Sequence, residues 1–296
     1  MNGTAKVNLR LADAAKRMEA TQKLHPKKWQ RHGSKFIESI NKGQGPRVLA
    51  VGPRVVGGLK ACYRNKPGYG GIPGNVFEVT TMNNGNLDGV GGSSVFYAVE
   101  HLGIKVVDVW GNGSKTQGET IKSLKKFVPG PVEIREISIS GDEPTNVREA
   151  EAVVVSCSDS RVQAHDIYDD VVVVSNAGNV LSPAAIEVIG EMVEKGVPIA
   201  MVMGHTKCGA VGAAVAGNIE AGLAEVMSVV GMNIREAPED NAGAENVYAS
   251  AEILKGNAFA GYYGESLQRL QGRIRDAKTE IIASFLDLSD GKVREL

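Results

Sequence analysis

The chain has 296 residues, 43% of them hydrophobic, enough for one large core or two ordinary domains. Lys+Arg number 33 and Asp+Glu 34, so the net charge is −1 and the composition points away from a nucleic-acid binder or a protein held on a membrane by charge. The three cysteines, Cys62, Cys157 and Cys208, are too few for a secreted disulfide scaffold, and a reducing cytoplasm is the expected compartment.

The N-terminal MNGTAKVNLRLADAAKRMEA lacks the apolar segment of a secretory signal. It is basic enough to leave a transit peptide open, with Asp13 and Glu19 speaking against one. Residues 8–41 are polar and charged with apolar residues at intervals, and residues 1–45 are expected to form a helical arm. Gly43-Gln44-Gly45-Pro46 then breaks the chain before a strand over Arg47–Val51. A Gly-rich stretch to Gly74 is followed by strands over Val76–Thr80 and Ile104–Trp110 and helices over Ser93–Leu102 and Thr116–Phe127. Residues 46–140 are the first expected α/β unit.

The same order returns in residues 141–296. Strands are expected over Ala152–Ser156, Val171–Val174 and Ile199–Met203. The apolar runs 152–155 and 171–174 are far too short to span a bilayer. A helix over Pro183–Glu194 opens with Ser182 as N-cap and proline at its first position, and another runs over Ala210–Ala216. Glu265–Lys278 is an amphipathic helix with Leu267, Leu270 and Ile274 on one face. Ile281–Leu288, Ser289-Asp290-Gly291-Lys292 and Val293–Leu296 read as strand, tight turn and short edge strand. Continuous apolar strands alternating with helices predict mainly parallel sheets covered on both faces.

The repetition extends to residues. Asn83-Asn84-Gly85-Asn86 recurs as Asn176-Ala177-Gly178-Asn179, 98–104 recurs loosely as 191–197, and Gly111 recurs as Gly204, all at one offset. Arg54-Val55 matches Arg161-Val162 at a larger offset, with the Gly-rich stretch as an insertion in the first copy.

Cys157, in SCSDSRV, ends one predicted strand; His205 and Cys208, in GHTKCGAV, lie just past another. Ligands of open parallel sheets gather at the carboxyl ends of strands, so these distant residues can converge. Two thiolates and an imidazole suit zinc, and three protein ligands leave a fourth position open, as catalytic sites do.

C-S-D-S-R-V followed by N-A-G-N and G-H-T-x-C-G-A-V resembles the β-class carbonic anhydrases, closely over residues 152–216, and the ending from Leu286 to Leu296 is similar to that family's. The resemblance implies one zinc per chain on Cys157, His205 and Cys208. It implies hydration of carbon dioxide to bicarbonate by a zinc-bound hydroxide, with Asp159 accepting a hydrogen bond from that hydroxide and Arg161 holding Asp159 ionised. In some members of the family the aspartate itself closes the zinc. Hydrolases of carbon disulfide and carbonyl sulfide share the motifs and are the alternative, as is a zinc-binding pseudoenzyme scaffold. Where the family often reads R-N-A-G-N, this chain has Ser175. His165-Asp166 is a candidate proton shuttle, set against a plain solvated loop.

Aligned on Arg54 and Gly111, the first copy has Ala50, Gly52, Asn112 and Lys115 in place of Cys157, Asp159, His205 and Cys208, which cannot rebuild a zinc site. The expected architecture is two tandem β-carbonic-anhydrase-like units, the first degenerate, joined as an intrachain pseudo-dimer that shares a continuous sheet. Plant-type members line each zinc pocket with a glutamine, a phenylalanine and a tyrosine from the partner subunit. The first copy keeps Gln44, Phe77 and Tyr97, which this resemblance places in one composite pocket. It also implies carbon dioxide and bicarbonate as the small-molecule substrate and a homo-oligomer, a dimer of pseudo-dimers; the near-neutral charge and short apolar runs are what point to no nucleic-acid and no membrane partner.

Overall fold

The computed structural model describes residues 44–55, 58–63, 74–111, 113–139, 150–168, 170–218, 220–235, 237, 239–258 and 263–296. Residues 1–43 of the expected helical arm lie outside these residues, as does Asn112. Among the described residues, nine strands form two sheets. The first comprises β1 (Val48–Gly52), β2 (Val76–Thr80), β3 (Val106–Gly111) and β4 (Glu133–Ser138), ordered β2-β1-β3-β4 and parallel throughout. The second comprises β5 (Ala152–Cys157), β6 (Val171–Asn176), β7 (Ile199–His205), β8 (Glu280–Leu286) and β9 (Val293–Glu295), ordered β6-β5-β7-β8-β9. Only β9 is antiparallel, returning from β8 through the expected turn. The strand order of the first sheet is that of the first four strands of the second.

The sheets form because their strands are apolar on both sides. Every residue of β1, β2, β5 and β6 is buried. Alternate residues of β5 serve opposite faces: Val153 and Val155 join one core, Ala152 and Val154 the other. The helices are α1 (Leu59–Cys62), α2 (Gly89–Glu100), α3 (Ser114–Leu124), α4 (Ala164–Ile167), α5 (Pro183–Glu194), α6 (Gly209–Val215), α7 (Ala224–Asn233), α8 (Ala242–Lys255) and α9 (Gly264–Ala277). Among the described residues no helix is long and apolar enough to cross a membrane.

Ser182 caps α5 as expected, its hydroxyl accepting from the Ala185 N–H at 3.1 Å. Helix α2 starts four residues before its expected start, through glycines that propensity disfavours. Packing overrides propensity here: a Cβ on Gly92 would lie 2.2 Å from the Phe127 ring, and one on Gly89 2.7 Å from Glu225. Strand β4 goes unread in the sequence because Glu133, Arg135 and Glu136 give it the polar alternation of a half-exposed edge.

Two expectations change. The ladders pair Gly52 with Thr80 and Val51 with Val109, as Ser156 pairs with Ser175 and Val155 with Val202. Overlaying the two sheets on this register puts Pro53, not Ala50, at the place of Cys157, and Val55 at that of Asp159. Matching Arg54 to Arg161 slips the register by three residues; Arg54 instead reaches Glu191 and Asn83. Neither proline nor valine offers a ligand atom. The expected continuous sheet is also absent: β2 and β6 lie side by side, but no ladder joins them. The Ser175 N–H goes to the Thr80 hydroxyl at 2.9 Å rather than to a main-chain carbonyl.

Asp88 ties the halves together. Its Oδ1 accepts from Gly91 N at 2.6 Å, capping α2, and its Oδ2 accepts from Ala184 N at 2.8 Å, in the first turn of α5. Asp88→Ala removes both bonds and is expected to cost about 1–3 kcal/mol of unfolding free energy. Urea denaturation measures it, and a loss below about 0.5 kcal/mol, the size of an ordinary surface substitution, would contradict the bridging role.

Candidate metal centre

Cys157 is the last residue of β5, and His205 the last of β7, the strand beside it. The turn Thr206-Lys207 follows, with Lys207 in the left-handed region at φ 57°, and delivers Cys208 as the N-cap of α6. All three side chains are buried, and their ligand atoms lie within 4.8 Å of one another; no other such group occurs among the described residues. His205 Nδ1 lies 2.8 Å from the Thr206 carbonyl, which places the ring proton on Nδ1. Nε2 is then a lone pair, buried and without a hydrogen-bond partner. The cysteine sulfurs stand 4.0 Å apart. A hydrogen bond from Cys208 holds the Cys157 thiol well below its ordinary range despite burial, with His205 adding to the effect. The same bond and burial push Cys208 well up. A thiolate sharing one proton beside an unpartnered imidazole nitrogen is a donor set that a soft cation completes, and the residues fit zinc.

Asp159 and Arg161 stand on the turn after β5. Asp159 is 1% exposed, and both its oxygens are used. Oδ1 accepts from Arg161 N at 2.8 Å and Arg161 Nε at 2.9 Å. Oδ2 accepts from Arg161 Nη2 at 2.6 Å and from Gln44 Nε2 at 2.7 Å. Burial alone would raise the Asp159 pKa; the bonds and charge of Arg161, with His205, outweigh it and hold the carboxyl below the usual range. Oδ2 lies 3.9 Å from His205 Nε2, so the carboxylate faces the metal-binding cluster. Arg161 Nη2 also donates to the Lys207 carbonyl at 3.1 Å, joining the two ligand-bearing turns.

A small pocket reaches Cys157 and Asp159. Gln44, Phe77 and Tyr97 line it from the first half, and Ala177, Leu223, Val226 and Met227 from the second. The structure thus brings all eight residues singled out in the sequence to one place. The Phe77 and Tyr97 rings are 6.2 Å apart, and Tyr97 stacks on His101 at 5.4 Å. Burial, then Asp159 and Cys157, push the Tyr97 pKa up. Gly209 makes room for this tyrosine: a Cβ there would lie 2.7 Å from its hydroxyl.

His165 is not on a solvated loop; it is buried, in α4. The sequence reading passed over α7 and α8. Leu223, Val226 and Val230 carry the three- and four-residue spacing that marks the buried face of α7. Asn246, fully buried in α8, gave no such signal; its Nδ2 donates to the Gly178 carbonyl at 2.8 Å and steadies the pocket floor.

Residues 152–293 match the sequence model of the family described as carbonic anhydrase. Carbonic anhydrase 2 of Mycobacterium tuberculosis, from strains CDC 1551 / Oshkosh and ATCC 25618 / H37Rv, is 42% identical over 82 residues, covering 26% of this chain and 37% of the relative. The chain therefore spans well under half the length of the curated relatives it matches. Among solved structures, the β-carbonic anhydrase CafA of Aspergillus fumigatus covers 50% of this chain and 76% of its own, at 22% identity and TM-score 0.38. The β-carbonic anhydrase CcaA covers 50% and 73%, at 18% identity and TM-score 0.39.

Cys157→Ser is expected to lower bound zinc from about one per chain to below about 0.1, by elemental analysis, because the soft thiolate donor is lost. Zinc loss to a chelator should quicken as pH falls, since protons compete for the thiolates. Full zinc content in the serine variant would remove Cys157 from the site.

Proposed function

We propose that this chain catalyses the reversible hydration of carbon dioxide to bicarbonate with one zinc ion on Cys157, His205 and Cys208. The observation that carries the reading is the Asp159 carboxyl, buried and bonded on both oxygens, at the meeting point of the metal cluster and an apolar pocket. Zinc, when bound, supplies a Lewis acid that makes water nucleophilic near neutral pH. Asp159 does the orienting. An ionised carboxylate only accepts hydrogen bonds, so Asp159 takes the O–H of the attacking water on Oδ2, in the place the Gln44 amide gives up or shares, and turns the oxygen lone pair toward the pocket. Arg161 keeps Asp159 charged and fixed. The apolar pocket wall suits a small uncharged gas and keeps other water away from the reacting atoms. Gln44 uses one amide N–H on Asp159 and has a second to hold an oxygen of the substrate or the bicarbonate.

The site is composite in this proposal. The second half brings the metal ligands and the Asp159–Arg161 pair; the first brings Gln44, Phe77 and Tyr97. The shared strand order and the internal sequence similarity support a tandem duplication in which residues 46–140 lost the ligands and kept Phe77 and Tyr97 of the wall, with Gln44 just ahead of them, and residues 141–296 kept the ligands. The family resemblance is what supports a homo-oligomer of such chains.

Stopped-flow assay of the zinc-loaded protein should show carbon dioxide hydration, with little sulfide release from carbon disulfide or carbonyl sulfide. Faster sulfide release would move the reading to the hydrolases, and zinc with no turnover on any of the three gases would leave a pseudoenzyme. Gln44→Ala and Tyr97→Ala should each retain zinc and lower kcat/KM, by about 10–100-fold for Gln44→Ala, as for loss of one preorganised polar contact. Unchanged turnover with intact zinc in both would contradict the composite site.

A further inference from the structure

The turn Cys157–Val162 carries a metal ligand, Asp159 and Arg161, and the carbonyls of Cys157, Asp159, Ser160 and Val162 accept hydrogen bonds from the other half of the chain. Lys60, in α1, is 7% exposed, and its ammonium spends all three donors on this turn. Nζ donates to the Val162 carbonyl at 2.8 Å, to that of Asp159 at 2.9 Å, and to that of Cys157 at a longer 3.4 Å. The Gly74 N–H adds a bond to the Ser160 carbonyl at 2.7 Å.

Lys60 is itself held in place. Glu78, 1% exposed on β2, accepts from Leu59 N at 2.9 Å and from Lys60 N at 3.0 Å, fixing the first turn of α1. Gly58 permits that approach: its φ is 77°, and a Cβ there would lie 2.9 Å from Glu78 Oε1. The buried carboxylate also balances the buried ammonium, without which the charge would be costly to enclose. The sequence showed only a Gly-rich insertion here.

We propose that Lys60 is a positioning residue for the metal centre, which the first half supplies to fix the turn bearing Cys157, Asp159 and Arg161. It acts through main-chain carbonyls and touches neither substrate nor metal. Gln44 reaches Asp159 from the pocket side and Lys60 holds the same turn from beneath, so the half without ligands sets the ligand geometry from two directions.

The role rests on the proposed function only for its effect on turnover, so three quantities are measured on the full chain. These are the rate of zinc release to a chelator, amide hydrogen exchange over Ser158–Val162, and kcat and KM for carbon dioxide hydration. The variants are Lys60→Met/Glu78→Gln, which removes both buried charges together, and the milder Lys60→Gln, which keeps an amide donor. Both are expected to release zinc faster, the double variant by tenfold or more and Lys60→Gln by less, with faster exchange confined to the turn. kcat should fall while KM changes less than twofold. Wild-type zinc release and exchange in a folded variant overturn the proposal; if the double variant does not fold, Lys60→Gln alone decides on the same readouts. If the wild-type protein hydrates no carbon dioxide, the functional reading fails, while zinc release and exchange still decide the role of Lys60.

Discussion

A carboxylate at 1% exposure is the constraint around which this molecule is organised. Asp159 cannot stay charged in the interior without donors on both oxygens. Arg161 supplies three of its four bonds from the same turn, and Gln44 supplies the fourth from the other half. Removing one partner of such a pair typically costs about 3–5 kcal/mol, because the other is left buried and bare. Arg161 reaches both oxygens from its own turn, and the bond from Gln44, made only when the two halves dock, ties the carboxylate to the rest of the fold.

The same seam recurs at larger scale. The apolar cluster around Cys157 and Cys208 includes Val90 and packs Phe96 and Tyr97 against α7. Asp88 caps a helix on each side, and β2 meets β6 through Thr80 and Ser175. The first sheet has the strand order of the second but only Pro53 and Val55 at the strand end where ligands would stand. Phe77 and Tyr97 of the first half line the pocket that reaches Cys157 and Asp159.

Much of this was legible in the sequence because it rests on local patterns. The strands Val48–Gly52 and Val171–Asn176 open on continuous apolar runs, and the helix at Pro183 announces itself with serine and proline. Cys157, His205 and Cys208 were readable because soft donors at strand ends have few other uses. The register of β1 against β5 was not, because it is fixed by pairing with β2 and β3 while the eye follows Arg54 to Arg161. Lys60 was hidden for a related reason. A lysine is ordinarily a surface residue, and only the fold shows that its ammonium has three carbonyls of a distant turn to bind. The glycines of α2 misled in the opposite sense, since a helix-breaking composition there answers to Phe127 and Glu225.

In the proposed function Gln44 and Asp159 act as one unit across the two halves. A double-mutant cycle on carbon dioxide hydration with Gln44→Ala and Asp159→Asn, zinc content held equal, measures that coupling directly. Gln44→Ala is expected to lower kcat in the native background and to have little further effect once Asp159→Asn is present. Additive losses, with Gln44→Ala costing the same in both backgrounds, would contradict it.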